Sequence, residues 1–171
     1  MDKDALNKIT YGLFVAGVQD ANWFGGCIVD AFMQVTLEPA TIVYCSMNKN
    51  RTGEIILEKG EFTISVLPSD VHPFMISNFG YQSSRKTDKW ANVPHDIVNG
   101  LPVLKDMAAY YRCKMADARD LKTHTLFYCE VLDAWSGTKT PLVYADYQKS
   151  MKQAATAAFM EFQKTKISPL L

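Results

Sequence analysis

The stretch FMQVTLEPATIVYCSM at residues 32–47 decides the fold class of this chain. In its first part, Gln34 and Thr36 share one face while three apolar side chains share the other, which is the two-residue period of a strand. Glu38-Pro39 breaks this run. Thr41–Met47 then continues as a β-branched, apolar segment, which is typical of a buried strand. The stretch therefore predicts two short strands.

Similar strand-like segments lie on both sides of this stretch. We expect further strands at residues 11–18, 23–30, 61–67, 108–117, 123–133 and 141–144. Helices are expected only at the margins, at residues 2–9, 54–59, 150–164 and from a cap at Ser69 or Asp70 to Asn78, with residues 79–96 irregular and polar. Many short strands without regularly alternating long helices predict a mainly β protein built as an antiparallel barrel.

The composition sets the broad class of protein. The chain has 171 residues, enough for one compact domain, and its 18 basic side chains balance 18 acidic ones. This balance leaves no overall field to attract nucleic acid or a membrane surface. The first residues, MDKDALNK, lack the apolar run of a secretory signal, and no stretch approaches the roughly 20 apolar residues of a membrane span. We therefore expect a cytoplasmic protein.

Several common site motifs are missing from the sequence. Because Cys27, Cys45, Cys113 and Cys129 form no CxxC pair, we expect buried free thiols and no cysteine-based metal site. The glycine motifs GxGxxG and GxxxxGK[ST] are also missing, so any nucleotide must be held by other loops.

Three polar clusters are candidates for a binding site. Residues 30–36 could hydrogen-bond a planar heterocycle at a barrel mouth, or could form a half-exposed edge strand. Residues 48–53 offer backbone N–H groups and cations to an anion beside a helix start, or form an ordinary solvated loop. Residues 83–89 place hydroxyls beside three cations, which suits a phosphate, or form a mobile surface loop. His124 is the one histidine inside a predicted strand, where it could also be simply packed.

Short motifs spread over residues 5–148 resemble the flavin reductase-like, FMN-binding split-barrel family, and in particular its flavoredoxins and the flavin domain of high-molecular-weight rubredoxins. The motifs lie at residues 9–13 (ITYGL), 26–30 (GCIVD), 34–39 (QVTLEP), 48–52 (NKNRT), 83–89 (SSRKTDK), 99–102 (NGLP), 123–127 (THTLF) and 141–147 (PLVYADY). No single motif is decisive, but so many in register make a chance match improbable.

The resemblance implies a Greek-key split barrel with peripheral helices at residues 1–150, followed by a helical tail at residues 151–171. It implies non-covalently bound FMN, NAD(P)H as co-substrate and a homodimer. Members of the family pass electrons from NAD(P)H through FMN to free flavin or a protein acceptor. Other members are electron carriers that a protein partner reduces, and both functions stay open for this chain.

The resemblance also implies roles for individual residues. Those at the flavin ring and ribityl chain would be Val29, Asp30, Ala31, Gln34, Val35 and Thr36. Those at the phosphate would be Asn48, Lys49, Asn50, Arg51, Thr52, Ser83, Ser84, Arg85 and Lys89, and Phe79 joins the cofactor-binding set. His124 matches a histidine near the nicotinamide side of the flavin and is the candidate catalytic residue.

The chain departs from the family pattern at four places. Asp30 stands where asparagine is usual, and a carboxylate cannot donate a hydrogen bond to a flavin carbonyl. Ser84 stands where glycine is common. The loop after Lys49 is one residue shorter than usual. No rubredoxin-like CxxC…CxxC module follows, so we expect any electron partner to be a separate molecule.

Overall fold

The computed structural model describes residues 1–171, except for the side chains of Lys3 and Asn7. Seven strands form one antiparallel sheet in the order β2-β1-β5-β8-β9-β4-β3, and β6 and β7 form a separate hairpin. The strands are β1 (Phe14–Gln19), β2 (Phe24–Val29), β3 (Phe32–Thr36), β4 (Thr41–Met47), β5 (Glu61–Val66), β6 (His95–Val98), β7 (Leu101–Leu104), β8 (Ala109–Asp120) and β9 (His124–Ser136). The predicted mainly β, antiparallel architecture is confirmed.

Helices occupy the margins of the sheet. The α-helices are α1 (Arg51–Lys59), α2 (Pro73–Gly80), α3 (Tyr144–Asp146) and α4 (Lys152–Thr165). Short 3-10 helices cover Lys3–Lys8 and Trp90–Asn92, and a π-helical turn covers Tyr147–Met151. None of the helices in the described part of the chain has the length and apolarity to cross a membrane.

The sheet curls because its two edge strands are neighbours in sequence. β2 and β3 lie at opposite ends of the strand order, yet only Asp30 and Ala31 join them. The sheet must therefore bend until its edges approach each other, which makes a barrel that is open between β2 and β3. The carbonyl of Ala31 accepts a hydrogen bond from Cys45 N at 2.9 Å and so ties this junction to β4.

Apolar side chains cover both faces of the curled sheet. Inside the barrel, Tyr44 stacks on Phe127 with ring centroids 5.4 Å apart. On the outside, the alternate residues of β1 pack with α2 and with Trp90, whose ring lies edge-on to Phe79 at 4.8 Å. α4 closes this outer layer, since Phe162 packs on Phe74 of α2 at 4.9 Å. β1 is therefore buried on both faces, and the segment that carries Trp90 is held against β2.

Four expectations from the sequence were wrong in detail. α1 begins at Arg51 rather than Glu54, because Asn50 caps it. α2 begins at Pro73, capped by His72 rather than by Ser69 or Asp70. Residues 141–144 form two isolated bridges instead of a strand. Residues 79–96 are not simply polar and irregular, since they contain the buried Trp90 and the start of the unpredicted hairpin β6–β7. The cysteines are free as expected, although Cys45 is only half-buried.

Candidate functional site

A cationic cleft opens where β2, the start of α1 and the segment after α2 meet. Its volume is about 310 Å³. Seven of the residues predicted from the sequence line it, although they come from two distant segments: Lys49, Asn50, Arg51, Phe79, Ser83, Ser84 and Lys89. The fold therefore brings the second and third polar clusters of the sequence to one place.

Lys89 is the most unusual of these residues because its amine is buried. Only 2% of the residue is exposed, and its Nζ donates a hydrogen bond to the carbonyl oxygen of Phe79 at 2.9 Å. Desolvation lowers the pKa of Lys89 to about 8, since burial disfavours the charged form. Among the described side chains, no carboxylate forms an ion pair with it. A bound anion would supply the missing negative charge.

Arg51 is fixed at the cleft by a carboxylate from the β1–β2 connection. Its Nε donates to Asp20 Oδ2 at 2.9 Å and its Nη2 to Asp20 Oδ1 at 2.6 Å. These bonds lower the pKa of Asp20 and raise that of Arg51, because each partner stabilises the charged form of the other. A bidentate pair of this kind fixes the plane of the guanidinium as well as its position.

Glu54 occupies the space between two arginines. It accepts a hydrogen bond from Arg51 Nη1 at 3.4 Å and forms an ion pair with Arg85. The side chain of Arg85 is 47% exposed and lies outside the residues that line the cleft. Arg85 therefore neutralises Glu54 rather than projecting into the cleft in this conformation.

The amino terminus of α1 adds further positive potential to the cleft wall. Asn50 caps the helix, since its Oδ1 accepts a hydrogen bond from Thr52 N at 3.1 Å. The start of the helix lies directly against β4. Gly53 permits this close approach, since a Cβ there would lie 2.9 Å from Ser46 Oγ. The partial positive charge of a helix start favours a nearby anion. The exposed side chain of Lys49 stands beside this helix start.

Ser84 anchors the segment after α2 to β2. Its hydroxyl accepts from Gly26 N at 3.1 Å and donates to Gly26 O at 2.9 Å, and its carbonyl accepts from Trp23 Nε1 at 3.0 Å. The Ser84 hydroxyl is thus already engaged by the backbone. Gly26 is required here, because a Cβ would lie 2.8 Å from Trp90 Nε1 and 2.9 Å from Ala16 O.

Sequence reasoning missed several residues of this cleft. Cys27, Ile28, Met47 and Gln82 also line it, and Asp20 holds Arg51 from outside. The strand signal of residues 23–30 located Cys27 and Ile28 but could not show which groove they face. Nothing in the local sequence identifies Asp20 as the partner of a residue 31 positions away.

The arrangement as a whole suits a phosphate. Three cations, a helix start and the exposed Ser83 converge on one opening, and one of the cations is buried without a carboxylate partner among the described residues. Charge-assisted hydrogen bonds from such groups are about twice as strong as neutral ones.

Comparison with known proteins identifies the family of this chain. The profile of the family described as Flavin reductase like domain matches residues 6–153. The chain belongs to this family. It is 34% identical over 152 residues to a high molecular weight rubredoxin of Moorella thermoacetica, covering 87% of the chain and 66% of the relative. It is 32% identical over 155 residues to a ferric-chelate reductase (NAD(P)H) of Archaeoglobus fulgidus, covering 89% and 92%. The resemblance predicted from the sequence motifs is therefore confirmed.

The fold of this flavin reductase-like protein also matches a solved structure. The flavin reductase PheA2 in its native state superposes with a TM-score of 0.72 and 27% identity, covering 84% of this chain and 93% of that one. The predicted split barrel is confirmed. The chain spans slightly less than two thirds of the rubredoxin relative and most of the ferric-chelate reductase.

The first polar cluster of this flavin reductase-like chain lies away from the cationic cleft. Gln34 and Thr36 line a second, largely apolar groove of about 710 Å³ between β3, β4 and the β8–β9 hairpin. Val29 points into the barrel core, whereas Val35 is 47% exposed on the edge strand. Asp30 and Ala31 form the β2–β3 junction. Within one chain, these residues therefore lie apart from the cationic residues that line the cleft.

Three other predicted residues occupy the rim or interior near the cleft. Asn48 turns toward the β8–β9 hairpin, donating to Asp120 Oδ1 at 3.1 Å and accepting from Thr125 Oγ1 at 2.9 Å. Thr52 is fully buried in α1. His124 is half-buried at the start of β9 and pairs in register with Met47, a residue of the cleft wall. Its Nδ1 lies 2.9 Å from Thr123 Oγ1.

Proposed function

We propose that this protein is an FMN-binding oxidoreductase that takes electrons from NAD(P)H through bound FMN and passes them to free flavin or a protein acceptor. The observation that carries the proposal is Lys89. A buried ammonium without a carboxylate partner among the described side chains is costly unless an anion completes it. A phosphate at the mouth of the cleft would do so, and FMN carries one whereas riboflavin does not.

The residues present fit the phosphate end of FMN. Lys49, Arg51 and Lys89 would balance its charge, Ser83 would donate a hydrogen bond, and the start of α1 would add backbone N–H groups. Arg85 would join them only by turning away from Glu54. Ser84 would act through the backbone position that it fixes, since its hydroxyl is bonded to Gly26.

The ring end of FMN stays a prediction from the family. Bound FMN would supply a two-electron carrier that accepts hydride from NAD(P)H. The assignment of Val29, Asp30, Ala31, Gln34, Val35 and Thr36 to the ring and ribityl rests on resemblance alone. His124, opposite Met47 in register, would orient the nicotinamide or hold a proton beside the reduced ring.

A homodimer is part of this proposal. The edge strand β3 exposes Met33 by 61% and Val35 by 47%, and Leu37 just beyond it by 74%. An uncharged edge strand of this kind invites pairing with another chain. A second copy would cover it, and sedimentation giving a monomer at micromolar concentration would remove this part of the proposal.

We also propose the division of the chain into domains and the cellular compartment of the protein. Residues 1–150 would form the FMN-binding domain and residues 151–171 a helical tail, and the family profile ends close to this boundary, at residue 153. The four free thiols fit a reducing compartment, so we propose a cytoplasmic protein.

The second candidate function is an electron carrier whose FMN is reduced by a protein partner. The similarity to a high molecular weight rubredoxin favours it, because in that relative a region similar to this chain is part of a protein named as a rubredoxin. Such a carrier would need the same phosphate cleft but no productive nicotinamide site.

One experiment separates the possibilities. Purified protein should be yellow or take up added FMN, and it should bind FMN more tightly than riboflavin. Anaerobic mixing with NADH and with NADPH should then bleach the flavin within seconds if the protein is a reductase. No bleaching, with rapid reduction by a reduced rubredoxin or ferredoxin, would establish the carrier. Failure to bind any flavin would refute both.

A further inference from the structure

A polar network lies behind the cationic cleft and reaches the segment that follows α4. Its members are three amide side chains and one hydroxyl, contributed by Asn78, Gln82, Asn92 and Ser168. Gln82 lines the cleft, whereas Ser168 lies beyond the end of α4. The network thus connects a wall of the cleft with a part of the chain that does not touch it.

Asn78 is the centre of this network and is completely buried. Its Nδ2 donates to the backbone carbonyl of Lys89 at 2.9 Å. Its Oδ1 accepts from Gln82 Nε2 at 2.9 Å and from Asn92 Nδ2 at 3.1 Å. One side chain therefore fixes the backbone of the buried lysine and the side chain of another cleft residue.

Ser168 supports the network from its far end. Its Oγ donates to the carbonyl of Asn92 at 2.6 Å and accepts from Leu170 N at 3.1 Å. Asn92 is in turn linked to Lys89, both through Asn78 and through its own N–H, which lies 3.3 Å from the Lys89 carbonyl. A displacement of Ser168 would therefore be transmitted to Lys89 by hydrogen bonds at every step.

The segment after α4 is itself held in place. α4 packs on α2 through Phe162 and ends at Thr165, and the C-cap Lys166, with a φ of 57°, turns the chain back. Leu170 then packs against the apolar clusters that contain α2 and Trp90. The segment has a fixed base from which Ser168 reaches Asn92.

We propose that Ser168 is a positioning residue that sets the place of Lys89 through Asn92 and Asn78, and so controls how tightly the cleft holds a phosphate. The inference rests on the proposed function, because the phosphate is that of FMN. It assigns a role to the segment after α4 that neither the family profile, which ends at residue 153, nor the sequence motifs include.

The first test compares FMN with riboflavin. Loss of one hydrogen bond of this kind should weaken FMN binding by Ser168→Ala about 3- to 10-fold and leave riboflavin binding unchanged. Ser168→Thr keeps the hydroxyl and should restore the wild-type ratio of the two affinities. Ile167→Ala is the matched control, since its side chain is 73% exposed and lies outside the network. Equal losses for FMN and riboflavin would overturn the proposal in favour of general loosening.

A double variant tests the order of the links. Asn92→Ala removes the bond to Asn78 but keeps the carbonyl that Ser168 uses. Residues that act in series give non-additive effects. Because the Asn92 N–H still reaches the Lys89 carbonyl in Asn92→Ala, the double variant should lose more FMN affinity than either single variant but less than the two losses combined. Full additivity would refute the connection through Asn78.

A measurement without flavin separates this inference from the proposed function. Lys89 should react faster with an amine-acylating reagent in Ser168→Ala than in the wild-type protein, as read by peptide mass spectrometry, while the exposed Lys164 reacts equally in both. If wild-type protein binds no FMN, the proposed function fails and the acylation result still tests the connection. If FMN binds but neither its affinity nor Lys89 acylation changes, the connection alone is refuted.

Discussion

Arg51 and Asp20 are joined by two hydrogen bonds, of 2.9 and 2.6 Å. Asp20, in the connection between β1 and β2, thus fixes the side chain of Arg51 at the start of α1. Asp20→Asn removes the charge and one of the acceptors. It should leave Arg51 free to rotate and weaken FMN binding about 3- to 10-fold, with riboflavin binding unchanged. Isothermal titration with both ligands measures this.

Asp96→Asn is the matched control for that prediction. Asp96 pairs with Lys105 at 3.5 Å, and both side chains are more than half exposed. Such surface pairs contribute little. A loss of FMN affinity in Asp96→Asn equal to that in Asp20→Asn would show that the effect comes from general charge rather than from the fixed arginine.

Replacing Lys89 should separate stability from binding. Lys89→Met removes a buried amine whose pKa is lowered to about 8, because burial makes its charged form less favourable than in the unfolded chain. The loss of the bond to the Phe79 carbonyl partly offsets this gain. We expect ligand-free Lys89→Met to be more stable by about 1 kcal/mol in urea unfolding, and to lose part of its preference for FMN over riboflavin, since Lys49 and Arg51 remain. Destabilised protein with intact FMN preference would contradict the assignment of Lys89.

The affinity for FMN should depend on pH through the same group. Protonated Lys89 binds the phosphate, and the free protein loses this proton as the pH rises through about 8. Affinity should therefore be highest below pH 8 and fall about 10-fold between pH 7 and pH 9.5, as measured by fluorescence titration. In Lys89→Met the same titration should be flat across this range. A slope of equal size in that variant would assign the pH dependence to another group.

His124 should affect flavin reduction without affecting flavin content. It is half-buried and pairs in register with Met47 at the cleft wall. His124→Ala should slow reduction by NAD(P)H about 10-fold or more, a cautious figure for a positioned acid–base group. Anaerobic stopped-flow measurements give this rate, and extraction gives the FMN content. A variant with wild-type rates would leave His124 as a packed residue and would favour the electron-carrier function.

The sequence predicted the fold better than the site. Period-two alternation and β-branched runs are local signals, and they located β3, β4 and β5 to within a residue or so. The hairpin β6–β7 was missed, because it contains Pro102 and only four residues a strand. The cap of α2 was also wrong, since His72 is an unusual capping residue and serine and aspartate stood nearby.

The site was predicted as residue types but not as an arrangement. Lys49, Arg51 and Lys89 were recognisable as anion-binding candidates from their loops. That Lys89 is buried, that Arg85 is paired with Glu54 and that Ser84 is bonded to Gly26 depend on contacts between segments 31 to 58 positions apart. No local pattern encodes such contacts. The separation of Gln34 and Thr36 from the cleft likewise depends on how distant strands pack.

The order of strands in the sheet also affects how the chain emerges from the ribosome. β4 pairs with β3 as soon as both are made, but its other partner, β9, comes much later: Asn48 and Thr125, which are hydrogen-bonded in the finished protein, are 77 positions apart. At a translation rate of about 5–20 residues per second, β4 (TIVYCSM) stays unpaired on this side for roughly 4–15 s until β9 is made. Until β9 is made, this edge of β4 can pair with a strand of a neighbouring nascent chain. The groups that build the cleft, from Asp20 to Lys89, are all synthesised before this wait ends, so the cleft can assemble while one edge of β4 is still unpaired.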